Sequence, residues 1–406
     1  MTTIDRPMSE RGAAATDQPE LSGDLLARAR RVADVAARHA DTVDREARFP
    51  QETFAAARAE RLLGVAAPAF LGGEGVRPGL VVEICHLLGQ ACASSALVYA
   101  MHQVKVACVV RHGVGSPWQE AFIRRMVAEQ LLLASSTTEG KGGGDVRSSD
   151  APVHYAGDRI TLERDASVIS YGAHADALVT TARRNADAAP SDQVLLVLHK
   201  DDYSLTPTQT WDTLGMRGTD SVGFALRVDA SIEQILPEPY DAIHPQSMVP
   251  AAHLFWSAAW AGVAANAVER ARRHVRKAVR GAGGQLPPGA GHLVKAMGTL
   301  RTLRALITSM ADRYEAIMDS PEALTMIEFQ SAIGLLKVRA SELAVETVLA
   351  AMRACGLSGY RNDNEASLGR HLRDVLSAPL MINNDRILAN LSSSVLLAEV
   401  PQSIRG

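Results

Sequence analysis

Ser135-Ser136-Thr137-Thr138-Glu139-Gly140-Lys141-Gly142-Gly143-Gly144-Asp145-Val146 lies where two hydrophobic periodicities meet. The segment reads as a helix end running into a loop. Its three consecutive glycines let backbone N–H groups come close to an acceptor. Taken alone it stays open to two readings, a surface loop or a backbone cradle. A G-x-G-x-x-G dinucleotide turn is excluded, because no strand-turn-helix unit surrounds it.

Upstream, residues 21–133 are helical and Ala-rich. Residues 24–45 place Leu25, Ala29, Val32, Val35 and Ala36 near one face, the spacing of an amphipathic helix. Phe49-Pro50 opens a second helix that ends near Leu63-Gly64, and Pro68 with Gly72-Gly73 marks a loop. Further helices are predicted over 81–90 and 96–111. Downstream the period changes to two, and short strands are predicted over 159–162, 177–181, 194–199, 204–206 and 223–228. Helical periodicity then returns over 248–280, 293–318, 321–355 and 385–400, with breaker residues between. The expected division is a mobile tail (1–20), a helical domain (21–133), a β-domain (134–240) and a helical bundle (241–406). The fold class is α+β, with the two helical blocks packed on each other.

Composition narrows the function. Of 406 residues 47% are apolar and 21% charged, so the chain can bury a sizeable core. Bases number 42 against 45 acids, which argues against nucleic-acid binding through overall charge. Aromatics at 4% disfavour a platform for stacking bases. Cys85, Cys92, Cys108 and Cys355 have neither paired metal-ligand spacing nor the density of a disulfide scaffold. No metal is expected, and a reduced, cytoplasmic protein is the simplest reading. No uncharged apolar run of about 18 residues is present, so no membrane span is expected. The first nineteen residues lack the hydrophobic core of a secretory signal.

The 135–146 segment resembles the T-E-P-x-A-G-S-D loop of the acyl-CoA dehydrogenase family, flavoproteins with the same helical, β, helical order. Phe49-Pro50 with Leu63-Gly64, Pro68 and Gly72-Gly73 is similar to that family's F-P…G-L…P…G-G pattern. Val168-Ile169-Ser170-Tyr171-Gly172-Ala173-His174-Ala175-Asp176 resembles W-I-T-N-G-x-x-A-D, and Leu214–Ser221 resembles the G-x-R-G-S turn. Gly356-Leu357-Ser358-Gly359-Tyr360 followed by Arg373-Asp374 resembles G-G-x-G-Y…R-D. Each match is weak alone; five in the right order specify the fold.

The resemblance implies an N-terminal all-α domain, a middle β-barrel domain and a C-terminal four-helix bundle, with a flavin between the last two. It implies FAD rather than FMN. Thr137 and Thr138 would bond the ring edge, and Gly143 and Gly144 would line the flavin or thioester side of the loop. Ile169 and Ser170 would lie along the other ring face, with the Ser170 hydroxyl near N5. Gly356 and Gly359 would approach the diphosphate from a neighbouring subunit, since relatives are homodimers or homotetramers. Either Arg276 or Arg280 would meet that diphosphate.

Three departures bear on chemistry. Val168 stands for the family's Trp, and the Gln before the glycine turn is absent. The catalytic Glu expected eight residues after the R-D pair is Ile382, which cannot accept a proton. Dehydrogenation of an acyl thioester needs a base for the α-proton while hydride passes to the flavin. His253, on the first long C-terminal helix, is the leading substitute, against a plain core histidine beside Phe255, Trp256 and Trp260. Asp385 is second, against an N-cap of the last helix; His102 is third, against a satisfied helix histidine. Glu139 is expected to be structural.

The expected activity is acyl-CoA or acyl-carrier-protein dehydrogenation, with an electron-transfer partner. The alternative is a flavin monooxygenase of the same fold, fed by a flavin reductase and O₂. The basic run Arg270, Arg272, Arg273, His274, Arg276, Lys277 and Arg280 is read as a solvated or phosphate-facing helix rather than a nucleic-acid surface.

Overall fold

The computed structural model describes residues 18–139, 146–394 and 396. Gly143, Gly144 and the first seventeen residues, including most of the expected tail, lie outside the described residues.

The chain begins with α1 (Gln18–Glu46), α2 (Gln51–Ala59), α3 (Pro78–Ala91), α4 (Ala93–Gly113) and α5 (Pro117–Glu129). Along α1, Leu25, Ala29, Val32, Ala36, Ala40 and Val43 are buried, a spacing of three and four that keeps one face inward. Helix α4 is buried on nearly every side, so its sequence shows no amphipathic stripe. Helix α5 has no counterpart in the sequence reading, although Phe122, Ile123, Met126 and Val127 give it one buried face.

Seven strands follow: β1 (Leu133–Ser136), β2 (His154–Ala156), β3 (Arg159–Ser170), β4 (Ala177–Arg183), β5 (Gln193–His199), β6 (Tyr203–Gln209) and β7 (Ser221–Ser231). The expected barrel takes the form of two separately hydrogen-bonded sheets, ordered β1-β4-β5 and β2-β3-β7-β6. Leu133–Ser136, read from sequence as a helix end, is instead a strand running parallel to β4, with Leu133 opposite Ala177. Four residues are too short to show a period, and the partner that fixes them is distant in sequence.

Helices return as α6 (Tyr240–Ile243), a π-helical turn (His244–Met248), α7 (Val249–Gly281), α8 (Ala290–Ile317), α9 (Pro321–Thr325), α10 (Ile327–Cys355), α11 (Leu357–Tyr360), α12 (Gly369–Val375) and α13 (Asn384–Ser394). The helix expected over 321–355 is interrupted at Met326, whose backbone is extended. Helices α7, α8, α10 and α13 form the C-terminal bundle, and α3 packs along α7. That approach is backbone to backbone: a Cβ on Gly89 would strike the Ala259 carbonyl, and one on Gly262 the His86 carbonyl. Helix α4 and the stretch Tyr240–Gly281 are long and apolar enough to cross a membrane by length and composition, and 89% of each apolar window is buried in the fold.

Candidate active site

A cavity of about 710 Å³ opens between the middle strands, α4, the start of α7 and the α12–α13 segment. This is within the range of about 300–1,000 Å³ usual for cofactor and small-ligand sites. Its two walls differ. The strand wall carries hydroxyls from Ser135, Thr137, Thr138, Ser167, Ser170, Thr219 and Ser221. The helical wall is largely apolar, with Leu97, Met101, Val104, Ala252 and Trp256, but it also holds Lys105 and His253.

On the strand wall Ser170 Oγ lies 2.8 Å from Ser221 Oγ, which lies 2.8 Å from Thr219 Oγ1. Thr219 donates onward to the Met216 carbonyl at 2.9 Å. With that last donor fixed, Ser221 donates to Thr219 and Ser170 to Ser221, so Ser170 presents lone pairs to the cavity. Reversing the three hydroxyls together turns Ser170 into a donor. Glu139, the last described residue before the glycines, is tied to residues that follow them. Glu139 accepts from the Ser149 hydroxyl (2.5 Å) and the Asp150 N–H (2.8 Å), with the buried Arg164 guanidinium 3.5 Å away. Burial pushes Arg164 down to about 10. Glu139 is thus a structural anchor, as its place in the sequence suggested.

Thr137, Thr138, Ser170 and His253 all line the cavity. Ile169 does not. A bulge between Ala166 and Ile169 inserts one residue into β3 and switches the inward positions from even to odd. Ile169 is therefore buried in the middle-domain core, and Val168 faces the cavity instead.

His102 is likewise displaced from the catalytic set. Its Nε2 donates to the Leu63 carbonyl (2.8 Å), and its Nδ1 accepts from the Leu133 N–H (3.0 Å). Both ring nitrogens are spent bracing α4 against the start of β1, and burial lowers the imidazole to about 4. Asp385 is exposed and is not a wall residue. Its own N–H is capped by the Asn383 side chain at 2.9 Å, so Asn383 is the capping residue of α13.

His253 keeps one free lone pair. Its Nδ1–H donates to the Ile333 carbonyl at 3.0 Å, which leaves Nε2 unprotonated. Burial pushes the ring down to about 3, so it is neutral but a weak base. Ile382 lines the cavity with its aliphatic side chain. Arg276 and Arg280 are exposed near the end of α7, away from this cavity. Gly356 (φ +58°) ends α10 in a conformation suited to glycine, and Gly359 is buried against Cys355; neither lines the cavity.

The Arg373-Asp374 pair joins the two blocks. Arg373 pairs with Asp44 and donates to the Leu214 carbonyl at 2.9 Å, while Asp374 accepts the Met216 N–H at 2.7 Å. Burial raises Asp374 to about 6. Gly215 sits between them, with no room for a Cβ against the Arg373 carbonyl.

Sequence reading missed Lys105, Thr219 and Ser221. Lys105 had a signal: it is a charge at helical spacing from the apolar Leu97, Met101 and Val104. The two hydroxyls lie within the Leu214–Ser221 turn picked out in the sequence, but their approach to Ser170 is set only on folding.

Residues 23–130 match the acyl-CoA dehydrogenase N-terminal domain and residues 253–391 match the acyl-CoA dehydrogenase C-terminal domain. The chain belongs to the acyl-CoA dehydrogenase family. It is a flavoprotein oxidoreductase of that fold. A relative from Geobacter metallireducens, cyclohex-1-ene-1-carbonyl-CoA dehydrogenase, is 24% identical over 94% of this chain and 98% of its own. Among solved structures, FMN-bound TdsC from Paenibacillus sp. A11-2 superposes with a TM-score of 0.81 at 20% identity, covering 94% of this chain and all of TdsC. Butyryl-CoA dehydrogenase from Megasphaera elsdenii gives 0.79 at 17% identity, over 95% and 99% of the two chains. The family's fold is thus shared here, with an isoleucine where its base is expected.

Proposed function

We propose that this member works as a flavin-dependent monooxygenase on a small, mostly apolar substrate. The observation that carries the reading is Ile382: the position the family gives to its proton-abstracting carboxylate does reach the cavity, and it is aliphatic. Among the described residues no Asp or Glu lines this cavity. A flavin fits the residues present. The hydroxyl wall suits the polar edge of a planar heterocycle. Trp256 Nε1 is a buried donor on the cavity wall with no partner among the described residues, available to a bound molecule.

Bound in its reduced form, the flavin supplies the two electrons that, with O₂, place one oxygen atom on substrate and release the other as water. The chain supplies orientation and shelter. Ser170, Thr137 and Thr138 would hold the flavin by hydrogen bonds, and Leu97, Met101 and Val104 would exclude water. An external reductase using a nicotinamide cofactor restores the electrons.

The cofactor is proposed to be FAD within a homo-oligomer, its tail met by Arg276 or Arg280 and the Gly356–Gly359 turn of another copy. Arg276, Arg280 and Gly356 are exposed and none lines the cavity, which supports contact with a second copy rather than with its own cavity. Release of FMN on acid treatment, or a monomer by sedimentation, would remove that part.

A second reading is acyl-thioester dehydrogenation, favoured by the near full-length relative in Geobacter metallireducens. His253, whose Nε2 is unprotonated, would then take the proton. Anaerobic mixing with butyryl- and cyclohexanecarbonyl-CoA separates the two. The monooxygenase reading expects no bleaching of the flavin, and oxygenated product only with a reductase, NAD(P)H and O₂. Rapid bleaching by either thioester would overturn it.

A further inference from the structure

Lys105 is a cation with no acidic partner among the described residues. It extends the α4 stripe that begins at Leu97, about 12 Å along the helix at 1.5 Å per residue. The side chain is 3% exposed, yet it lines the cavity. Its Nζ donates to the Met248 thioether at 2.9 Å, a weak acceptor that leaves two N–H donors over. The neighbouring Cys108 thiol offers no negative charge, because burial holds it neutral by pushing it up to about 12. Arg373, the other cation whose partners are defined on this wall, is neutralised by Asp44.

We propose that Lys105 is the specificity residue of the cavity, the anchor for a carboxylate carried by the substrate. An unpaired buried ammonium is costly to keep, and methionine would fill the same volume without that cost. A ligand carboxylate meets the two remaining donors in a dry setting, where a charge-assisted bond is strongest. A phosphate, with its higher charge and three oxygens, would call for more donors than one lysine offers. Lys105 is lowered only to about 8, so it remains mostly protonated at pH 7 and able to hold an anion. The proposal rests on the reading that the cavity seats a substrate beside the flavin.

The test uses the flavin-loaded protein and calorimetric titration with two shape-matched pairs, hexanoate against hexanamide and benzoate against benzamide. Titration of the oxidised protein needs no turnover, so its result stands whether or not the monooxygenase reading survives. Each acid is expected to bind about tenfold or more tighter than its amide, the worth of one charged hydrogen bond. Lys105→Met should bring acid affinity down to that of the amide and leave the amide unchanged; Lys105→Arg should keep the preference. Equal binding of acid and amide by the wild-type protein, no heat from either acid at millimolar concentration, or an acid preference that persists in Lys105→Met would each overturn the proposal.

Discussion

The two walls of the cavity solve different problems. The strand wall offers uncharged hydroxyls that donate or accept by rotation, linked in a chain that ends on the Met216 carbonyl. The helical wall holds ionisable groups that are locked: His253 in one tautomer by Ile333, Lys105 against a thioether. A rotating wall tolerates a ring whose edge changes hydrogen-bonding character between redox states. A locked wall discriminates, because a buried charge penalises every ligand that fails to answer it. The comparison predicts that substitutions on the strand side cost little and touch the cofactor, whereas those on the helical side move stability and selectivity.

The largest effect is expected at the joint between the walls. Gly215→Ala places a methyl group against the Arg373 carbonyl and the Asp374 amide, and the turn must shift to admit it. A loss of about 3 kcal/mol or more is expected in urea unfolding, together with loss of bound flavin. An unchanged midpoint would mean that the joint is soft.

Next comes Lys105→Met, expected to stabilise. The folded state lowers this lysine from 10.5 to about 8, so between those values the unfolded chain binds more protons. The penalty is full below pH 8, shrinks as pH rises, and is gone above 10.5. At 1.36 kcal/mol per unit the variant should gain up to about 3 kcal/mol at pH 7, and its stability should climb less between pH 8 and 10.5 than that of the parent. Some climb remains, because Lys337, which donates to Asn384 at 2.7 Å, is also lowered to about 8. Parallel curves for the two proteins would contradict this.

The smallest effect belongs to the strand wall. Ser170→Ala removes one member of a hydroxyl chain whose other links to Ser221 and Met216 persist. Flavin affinity should fall by about 1 kcal/mol, several-fold in dissociation constant, with an unchanged melting temperature for the flavin-free protein. A hundredfold loss would mean the strand wall is as locked as the helical one.

The order of helices, strands and helices was legible because the hydrophobic period changes near Leu133 and again near Tyr240. Thr137, Thr138 and His253 were legible because local motifs carry them to the wall. Ile169 was misplaced because a bulge, invisible in a run of Ser-Val-Ile-Ser, shifts the alternation by one. His102 and Asp385 were weighed as bases against a satisfied helix histidine and a helix cap: His102 donates to Leu63 and accepts from Leu133, and the cap of α13 is Asn383, which accepts the Asp385 N–H. Lys105 was not singled out, although a charge on the inward face of a helix is an informative anomaly.

The joint at Gly215 and Met216 has a further consequence. With Asp374 gripping the Met216 amide and Arg373 tied to both Asp44 and Leu214, a hinged swing of the strands from the bundle would break several contacts at once. The exposed rim side chains Leu214 and Leu380 can turn without disturbing any of them. Small molecules can therefore reach the cavity past these two leucines while the frame around them stays shut.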